Sequence, residues 1–350
     1  MTLVLSAPRL AQPLRLAGLV GVVALLFVVS LLHLGFGARP IAPRVVLEAF
    51  LAFDPASFDH RVVRDLRLPR LCAGLMVGAA LGVCGALLQA VTRNPLGEPH
   101  VLGLNAGATF AVVTTLTLGP WLGRAGVPVP APATLLAARP LVAALGAGVM
   151  FAAVMTIGAA GRLGATPLKM TLCGVALSGF AAALTSAQLI LDDQTLATLR
   201  LWLAGDLSGV SRTAVWGVLP WFAAGLGLAF ALSGRLNVLG LGDDVARGLG
   251  VNLTRTRGAA LVAAGVLCGA AVSLAGPVGF VGLLVPHVAR TLFSRDHRLL
   301  LPLCAMLGAS LLLAADLAAR ALAAPREFAT GVVTALIGVP VFLLLAARSR

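Results

Sequence analysis

The chain has 350 residues, of which 59% are hydrophobic and only 11% are charged, and its mean hydropathy is +1.00. Soluble domains are about half apolar and about a quarter charged, so this composition excludes an ordinary soluble protein and predicts a polytopic membrane protein. The net charge is +13, but 25 of the 26 basic residues are arginines and one is a lysine. Single arginines at span ends are typical of membrane anchoring rather than of nucleic-acid binding.

Ten segments are apolar and long enough to be membrane spans, for which about 20 residues are needed. They are 16–36, 68–92, 101–119, 138–160, 170–191, 213–233, 258–276, 278–293, 299–322 and 330–347. The eighth segment is short and rich in glycine, so we expect it to be broken or tilted. The predicted fold is an all-α polytopic membrane protein, with one transmembrane domain over 1–350 and about ten transmembrane helices.

The distribution of basic residues predicts the orientation. If both termini are cytoplasmic, that side has a weak excess of basic residues, which agrees with the positive-inside rule. The excess is weak because six arginines crowd the first outer loop, which indicates an acidic partner on the outer side. These are Arg39, Arg44, Arg61, Arg64, Arg67 and Arg70.

Two segments of the chain are similar to each other. "GAALGVCG" from Gly78 and "GAAVSLAG" from Gly269 share a spacing of small residues, and a proline follows each at the same distance, Pro95 or Pro286. The copies lie five predicted spans apart and would cross the membrane in opposite directions. Such a 5+5 inverted repeat is typical of alternating-access transporters. Chance similarity is an equal alternative in a chain with 40 glycines.

The longest hydrophilic segment between spans is 233–258, on the predicted cytoplasmic side. It contains "GDDVARGLG" from Gly242. Asp243 or Asp244 can cap a short helix, and a following glycine can end it. A short helix there is well placed to receive movement from a soluble partner, and a plain solvated loop is the alternative.

Two kinds of site are not predicted. Lys169 is followed by Met170, so the chain lacks the Gly-Lys-Ser/Thr sequence with which a P-loop holds nucleotide phosphates. His287 and His297 have no neighbouring cluster of His, Cys or Asp with metal-ligand spacing, and the five cysteines all lie in apolar runs. We therefore expect no cofactor, no bound metal and no ATP site in this chain.

Five motifs occur in a known order: "RLPRLCAGLMVGAALGVCGALLQAVTRNPLGEPHVLGLNAGA", "LGLGDDVARGLGVN", "AGPVGFVGLLVPHVARTL", "DHRLLLPLCAMLGASLLLAADLAAR" and "GVVTALIGVPVFLLL". Together they resemble the FecCD family of ABC-transporter permeases, from Arg67 to the C-terminus. Members import iron–siderophore complexes, haem or vitamin B12 across the bacterial inner membrane. The resemblance implies a ten-helix protomer, a second permease protomer that is identical or different, separate ATPase subunits and a periplasmic substrate-binding protein.

The resemblance also implies site residues. A translocation gate would comprise Asn94, Pro95, Leu96, Pro167 and Leu168. The residues that couple to the ATPase would be Gly242, Asp243, Ala246, Arg247, Leu249 and Gly250. Those that dock the binding protein through its carboxylates would be Arg67, Arg70 and Arg320. For Arg320, pairing with Asp316 one helical turn earlier is the alternative.

The predicted function is therefore transport: a permease subunit that moves a ferric siderophore inward by alternating access and is not itself an enzyme. Haem and cobalamin are alternative cargoes. A proton-coupled secondary transporter or a membrane-embedded enzyme would be alternatives of other classes. Both would need ionisable groups within the spans. Asp316 with its neighbouring arginine is a single such pair and gives little support to either alternative.

Overall fold

The computed structural model describes residues 12–37, 39–124, 126, 132–160, 166–323 and 328–348. In this part of the chain the regular structure is helical throughout, and a π-helical turn (Val62–Arg67) joins α3 to α4. The helices are α1 (Gln12–Gly35), α2 (Pro43–Leu51), α3 (Phe58–Arg61), α4 (Leu68–Thr92), α5 (Leu104–Arg124), α6 (Pro132–Ala159), α7 (Pro167–Ile190), α8 (Asp193–Leu203), α9 (Arg212–Leu239), α10 (Asp243–Gly248), α11 (Leu253–Ala275), α12 (Val281–Leu292), α13 (His297–Ala323) and α14 (Thr330–Arg348).

The predicted spans coincide with ten of these helices, namely α1, α4, α5, α6, α7, α9, α11, α12, α13 and α14. Within the described ranges, seven helices are long and apolar enough to cross a membrane, and α5, α12 and α14 contain shorter apolar stretches. The prediction of an all-α polytopic membrane fold is confirmed. As expected for the eighth span, α12 has only 12 residues, about 18 Å at the helical rise, and follows a break at 276–280.

Helix α4 lies at the centre of the bundle. In the most apolar part of the helical run Phe58–Thr92, 89% of the residues are buried, whereas the corresponding value for α1 is 22%. Helices α13, α11, α12 and α9 all pack against α4. A helix that is apolar on every face belongs in such an interior position, and the exposed apolar side chains of the outer helices suit contact with lipid.

Small residues allow these helices to approach one another closely. A Cβ atom on Gly78 would lie 2.3 Å from the carbonyl oxygen of Gly308, and one on Gly269 would lie 2.4 Å from the backbone nitrogen of Ala144. The first contact joins α4 to α13 and the second joins α11 to α6. Close backbone packing through glycine is a usual way to associate helices in lipid, where the hydrophobic effect does not drive association.

The pattern of helix packing supports the internal repeat. Helix α4 packs on α13, and five spans further along, α11 packs on α6. The same displacement converts the pair α5–α6 into α12–α13, and the pair α5–α7 into α12–α14. The two similar segments at Gly78 and Gly269 therefore occupy corresponding places among four helices of each half, whereas α9 packs mainly on α11 and its counterpart α1 packs mainly on α13.

Candidate functional site

Asp243 holds the short helix α10 against the transmembrane bundle. Arg257 of α11 donates to both carboxylate oxygens of Asp243 at 2.9 and 3.1 Å, and Arg93 also donates to Asp243. Slight burial raises the pKa of Asp243, but the guanidinium groups of Arg257 and Arg93 outweigh it and keep that pKa below its ordinary value. We call Arg93, Asp243 and Arg257 the Asp243 cluster.

The predicted short helix is present, with a different cap. The residue that precedes the first turn of α10 is Gly242, with a φ of 113°, which has no side chain to cap the helix. The predicted cap Asp243 lies in the first turn, and its carboxylate faces Arg93 and Arg257 instead. Beyond the helix, Gly250 has a φ of 77°, a conformation that favours glycine. Gly250 thus lies in the short connection between α10 and α11, which begins at Leu253.

One side of α10 presents apolar side chains to solvent. Val245 within α10 and Leu249 directly after it are 50% and 60% exposed, and their spacing of four residues places them on one face. Leu241, 62% exposed, lies just before the helix. Ala246 is fully buried, so its predicted contact with an ATPase needs correction: it packs against the permease itself. Val245, which the sequence analysis did not select, is available instead.

The two predicted gate segments lie next to each other. Helix α4 ends at Thr92, and Arg93 adopts a left-handed conformation with a φ of 49°. The side-chain oxygen of the buried Asn94 accepts from the Leu96 amide at 2.9 Å, and its Nδ2 lies 3.4 Å from Oγ1 of Thr171. Thr171 is in the first turns of α7, which begins at Pro167. The exposed leucines of the two segments are Leu96 and Leu168.

The break after α4 also contacts the break before α12, which sequence reasoning did not find. The buried Glu98 accepts from the Phe280 amide at 2.5 Å, and Nδ2 of Asn105 donates to the Val278 carbonyl at 2.8 Å. The residues in these two hydrogen bonds are more than 170 positions apart in the sequence. The only sign of the junction in the sequence was an apolar stretch interrupted by Pro, Glu and Asn. The two interruptions therefore form one contiguous polar junction inside the bundle.

At the other end of the bundle, one buried carboxylate joins four elements. Asp316 of α13 is fully buried; it lies 2.9 Å from Nε2 of His33 and accepts from the Thr330 hydroxyl at 2.7 Å. Arg70 of α4 donates to it at 2.9 and 3.1 Å, and Nε of Arg320 lies 3.2 Å away. We call these five residues the Asp316 cluster.

This cluster changes the interpretation of the three arginines predicted to dock a binding protein. The side chains of Arg70 and Arg320 are only 12% and 13% exposed and both pair with Asp316, which is the alternative that the sequence offered for Arg320. Arg67 is 7% exposed and donates to the carbonyls of Leu34, Gly35 and Arg39. Its predicted docking contact therefore needs correction, because its donors close the end of α1.

Helix α4 connects the two clusters. Arg70 lies in its first turn and Arg93 caps its other end. The 23 intervening helical steps correspond to about 35 Å, which matches the thickness of a bilayer core plus part of the head-group region. Among the described residues, no group of three or more His, Cys, Asp or Glu side chains could hold a metal ion.

Comparisons with known proteins agree with this arrangement. The model of the FecCD transport family matches residues 25–348. The chain is 40% identical over 329 residues to the ferric enterobactin transport system permease protein FepD of Escherichia coli (strain K12), covering 94% of each chain. It is 39% identical over 332 residues to the iron(3+)-hydroxamate import system permease protein FhuB of Bacillus subtilis (strain 168), covering 95% of this chain and 83% of that one.

A solved structure shares the whole fold. A metal-chelate type ABC transporter in an inward-facing conformation matches with a TM-score of 0.76 and 28% identity, over 95% of this chain and 99% of that chain. The relatives are named as permease proteins, and the helices described above span the region that the family model matches. The chain is thus a multi-pass membrane protein, and it belongs to the FecCD transport family.

Proposed function

We propose that this chain is the permease subunit of an ATP-driven importer that moves a ferric chelate from the periplasm to the cytoplasm of a bacterium. The observation that carries the proposal is similarity over 94–95% of the chain to permeases named for ferric enterobactin and iron(3+)-hydroxamate. Haem and cobalamin are the alternative cargoes. A second permease protomer, identical or different, would enclose the pathway, and the membrane would be the inner membrane.

The Asp243 end of the bundle would face the cytoplasm, with both termini on that side. The exposed apolar face of α10 supports this orientation, because a soluble ATPase needs a protruding surface to engage. Val245 and Leu249 provide it, with the exposed Leu241 just before the helix, and Arg247 is 64% exposed at its side chain. Gly242 and Gly250 would set the angle at which α10 projects.

Movement of α10 would reach the gate through a short series of contacts. Asp243 binds Arg93, and Arg93 is followed directly by Asn94, whose side chain lies against Thr171 of α7. A displacement of α10 by the ATPase would therefore move the turn at 94–96 relative to the start of α7, where Pro167 and Leu168 lie. Coupling of this kind needs an element with two stable conformations, whose equilibrium both the ATPase contact and the gate can shift. The break at 93–103 would be that element.

Docking of a periplasmic binding protein at the Asp316 end would use arginines in two ways. Arg39 and Arg44 are 71% and 88% exposed at their side chains and can attract an acidic surface from a distance. Arg70 and Arg320 could receive a carboxylate of the binding protein only in competition with Asp316, since both already pair with it. Docking would in that case loosen the junction of α1, α4, α13 and α14.

Adding negative charge to the apolar face of α10 should abolish assembly with the ATPase. For the double variant Val245→Asp and Leu249→Asp, we expect the co-expressed ATPase subunit to be lost from the affinity-purified complex, since each aspartate would have to be desolvated in the interface. Co-purification measured by quantitative gel analysis checks this. Thr254→Asp, also exposed on the same side, adds one negative charge outside α10 and should leave assembly unchanged. Normal assembly of the double variant would exclude α10 as the contact.

Transport is tested by uptake in a deletion strain, with and without this gene restored. Labelled ferric siderophores, haem and cobalamin are compared under iron limitation, with the protein quantified in the membrane. We expect restored uptake of a ferric chelate. If only haem or cobalamin uptake were restored, that molecule would be the cargo instead of a ferric chelate. If no uptake were restored, the proposed transport function would be contradicted.

A further inference from the structure

A cavity lies at the Asp316 end, apart from the gate and the two ionic clusters. Its volume is about 450 Å³, and α2, α4 and α9 line it, with the turn before α4. Most of the lining is apolar and includes Leu75, Met76 and Leu219. Two arginines, Arg64 and Arg212, are the charged members, and no carboxylate is among the described residues that line the cavity.

The charged and apolar parts of this cavity are separated along its length. Arg64 precedes α4 and Arg212 is the first residue of α9, so both lie where these helices begin. The apolar lining continues along α4 to Met76 and along α9 to Leu219, about 10–12 Å deeper at the helical rise. The cavity is therefore cationic at the membrane boundary and apolar towards the bilayer interior.

The two arginines are available to a ligand. Both are exposed, and within the described ranges neither forms a salt bridge. Arg64 lies 4.5 Å from the centre of the Phe53 ring, a cation–π contact that leaves its N–H donors unused. The first amides of α9, a helix of 28 residues, are near Arg212 and add the positive end of a helix dipole.

From this geometry we propose that the cavity binds an anionic phospholipid of the leaflet in which α4 and α9 begin. Arg64, Arg212 and the start of α9 hold the phosphate, and one acyl chain lies between α4 and α9. Charge complementarity favours this ligand, because guanidinium groups bind phosphate oxygens in a bidentate manner. The apolar inner part of the cavity would accommodate an acyl chain, which a soluble anion lacks. Trp216, 60% exposed beside the cavity, lies at the level where tryptophan contacts head groups.

Cys72 provides a natural probe of occupancy. It is a half-buried free thiol that lines the cavity, and Cys173 on α7 is also free and half-buried but lies elsewhere. The full-length protein is reconstituted in nanodiscs of dioleoylphosphatidylcholine with increasing dioleoylphosphatidylglycerol. Alkylation of each cysteine by N-ethylmaleimide is followed by peptide mass spectrometry. We expect phosphatidylglycerol to slow modification of Cys72 several-fold and to leave the rate at Cys173 unchanged.

The double variant Arg64→Gln and Arg212→Gln should weaken phosphatidylglycerol binding about tenfold to thirtyfold and remove the protection. Arg44→Gln, which changes an exposed arginine outside the cavity, should not. Native mass spectrometry after delipidation gives an independent count: the double variant should retain fewer phosphatidylglycerol molecules than the parent. Equal protection by phosphatidylcholine alone, protection by glycerol phosphate without acyl chains, or unchanged lipid retention in the double variant would each overturn the proposal.

Discussion

Replacement of Asp316 by alanine is expected to destabilise the protein by about 3–5 kcal/mol, the usual cost of removing one partner from a buried ion pair. The carboxylate is fully buried and is shared by His33, Arg70, Arg320 and Thr330. Its removal would take away the carboxylate that the guanidinium groups of Arg70 and Arg320 share, although Arg70 would keep Asp206 at 3.9 Å. Because these partners come from α1, α4, α13 and α14, packing at that whole end of the bundle should loosen.

Thermal unfolding of the detergent-solubilised protein, followed by tryptophan fluorescence, measures this effect. Glu48→Ala is the matched control, because it removes a carboxylate from the exposed Arg44–Glu48 pair, and such pairs contribute about 0–1 kcal/mol. Asp316→Asn should have an intermediate effect, since an amide retains an acceptor but loses the charge. If the alanine variant unfolded at the same temperature as the Glu48 control, Asp316 would not hold these helices together.

The spans could be predicted from the sequence because lipid imposes a simple requirement. A helix in a bilayer satisfies its own backbone, so length and hydropathy suffice to find it, and each of the ten predicted segments corresponds to a helix. The shortness of the eighth span was also foreseeable, whereas α12 itself is one continuous helix and the break lies before it, at Gly276, Pro277 and Gly279. The short helix at 243–248 followed from its aspartates and glycines.

The partners of polar residues could not be predicted in the same way. Asp316 was recognised as an intramembrane carboxylate, and Arg320 one turn away was a local partner. The pairing with His33 and Arg70 joins residues 283 and 246 positions apart, and no periodicity encodes such a contact. For the same reason Arg67 was assigned to an outer surface, whereas three backbone carbonyls near the end of α1 accept its hydrogen bonds.

The sequence also could not show which residues of the short helix α10 are buried. Ala246 and Leu249 both belong to a motif that resembles known coupling segments, but only the structure distinguishes the buried alanine from the exposed leucine. A six-residue helix presents too few residues for its apolar face to be read from the sequence. The ion pair between Asp243 and Arg93, which anchors α10, also joins residues far apart in the sequence. Because Arg93 directly precedes Asn94, this pair connects the proposed coupling helix to the proposed gate.

The repeat leads to a prediction about helix packing: Gly78→Ala and Gly269→Ala should both be strongly destabilising. A Cβ at Gly78 would meet the Gly308 carbonyl oxygen at 2.3 Å, and one at Gly269 would meet the Ala144 nitrogen at 2.4 Å. In each case the obstacle is backbone, so no rotamer change can relieve the overlap and two helices must separate. Overpacking of a core typically costs about 1–3 kcal/mol, and we expect the upper end of that range for each variant.

Gly258→Ala is the matched control, because it lies on the same helix as Gly269 and a Cβ there would have nothing within 4 Å. Alanine favours a helix over glycine by up to about 1 kcal/mol, so this control should be neutral or slightly stabilised. Unfolding temperature and the yield of monodisperse protein in detergent give the comparison. Equivalent losses at Gly78 and Gly269 are expected if the two halves use the same small-residue contact. If only one of the two variants were destabilised, the two glycine contacts would not contribute equally to stability. The similarity between the two segments would then be one of sequence and not of stabilising contacts.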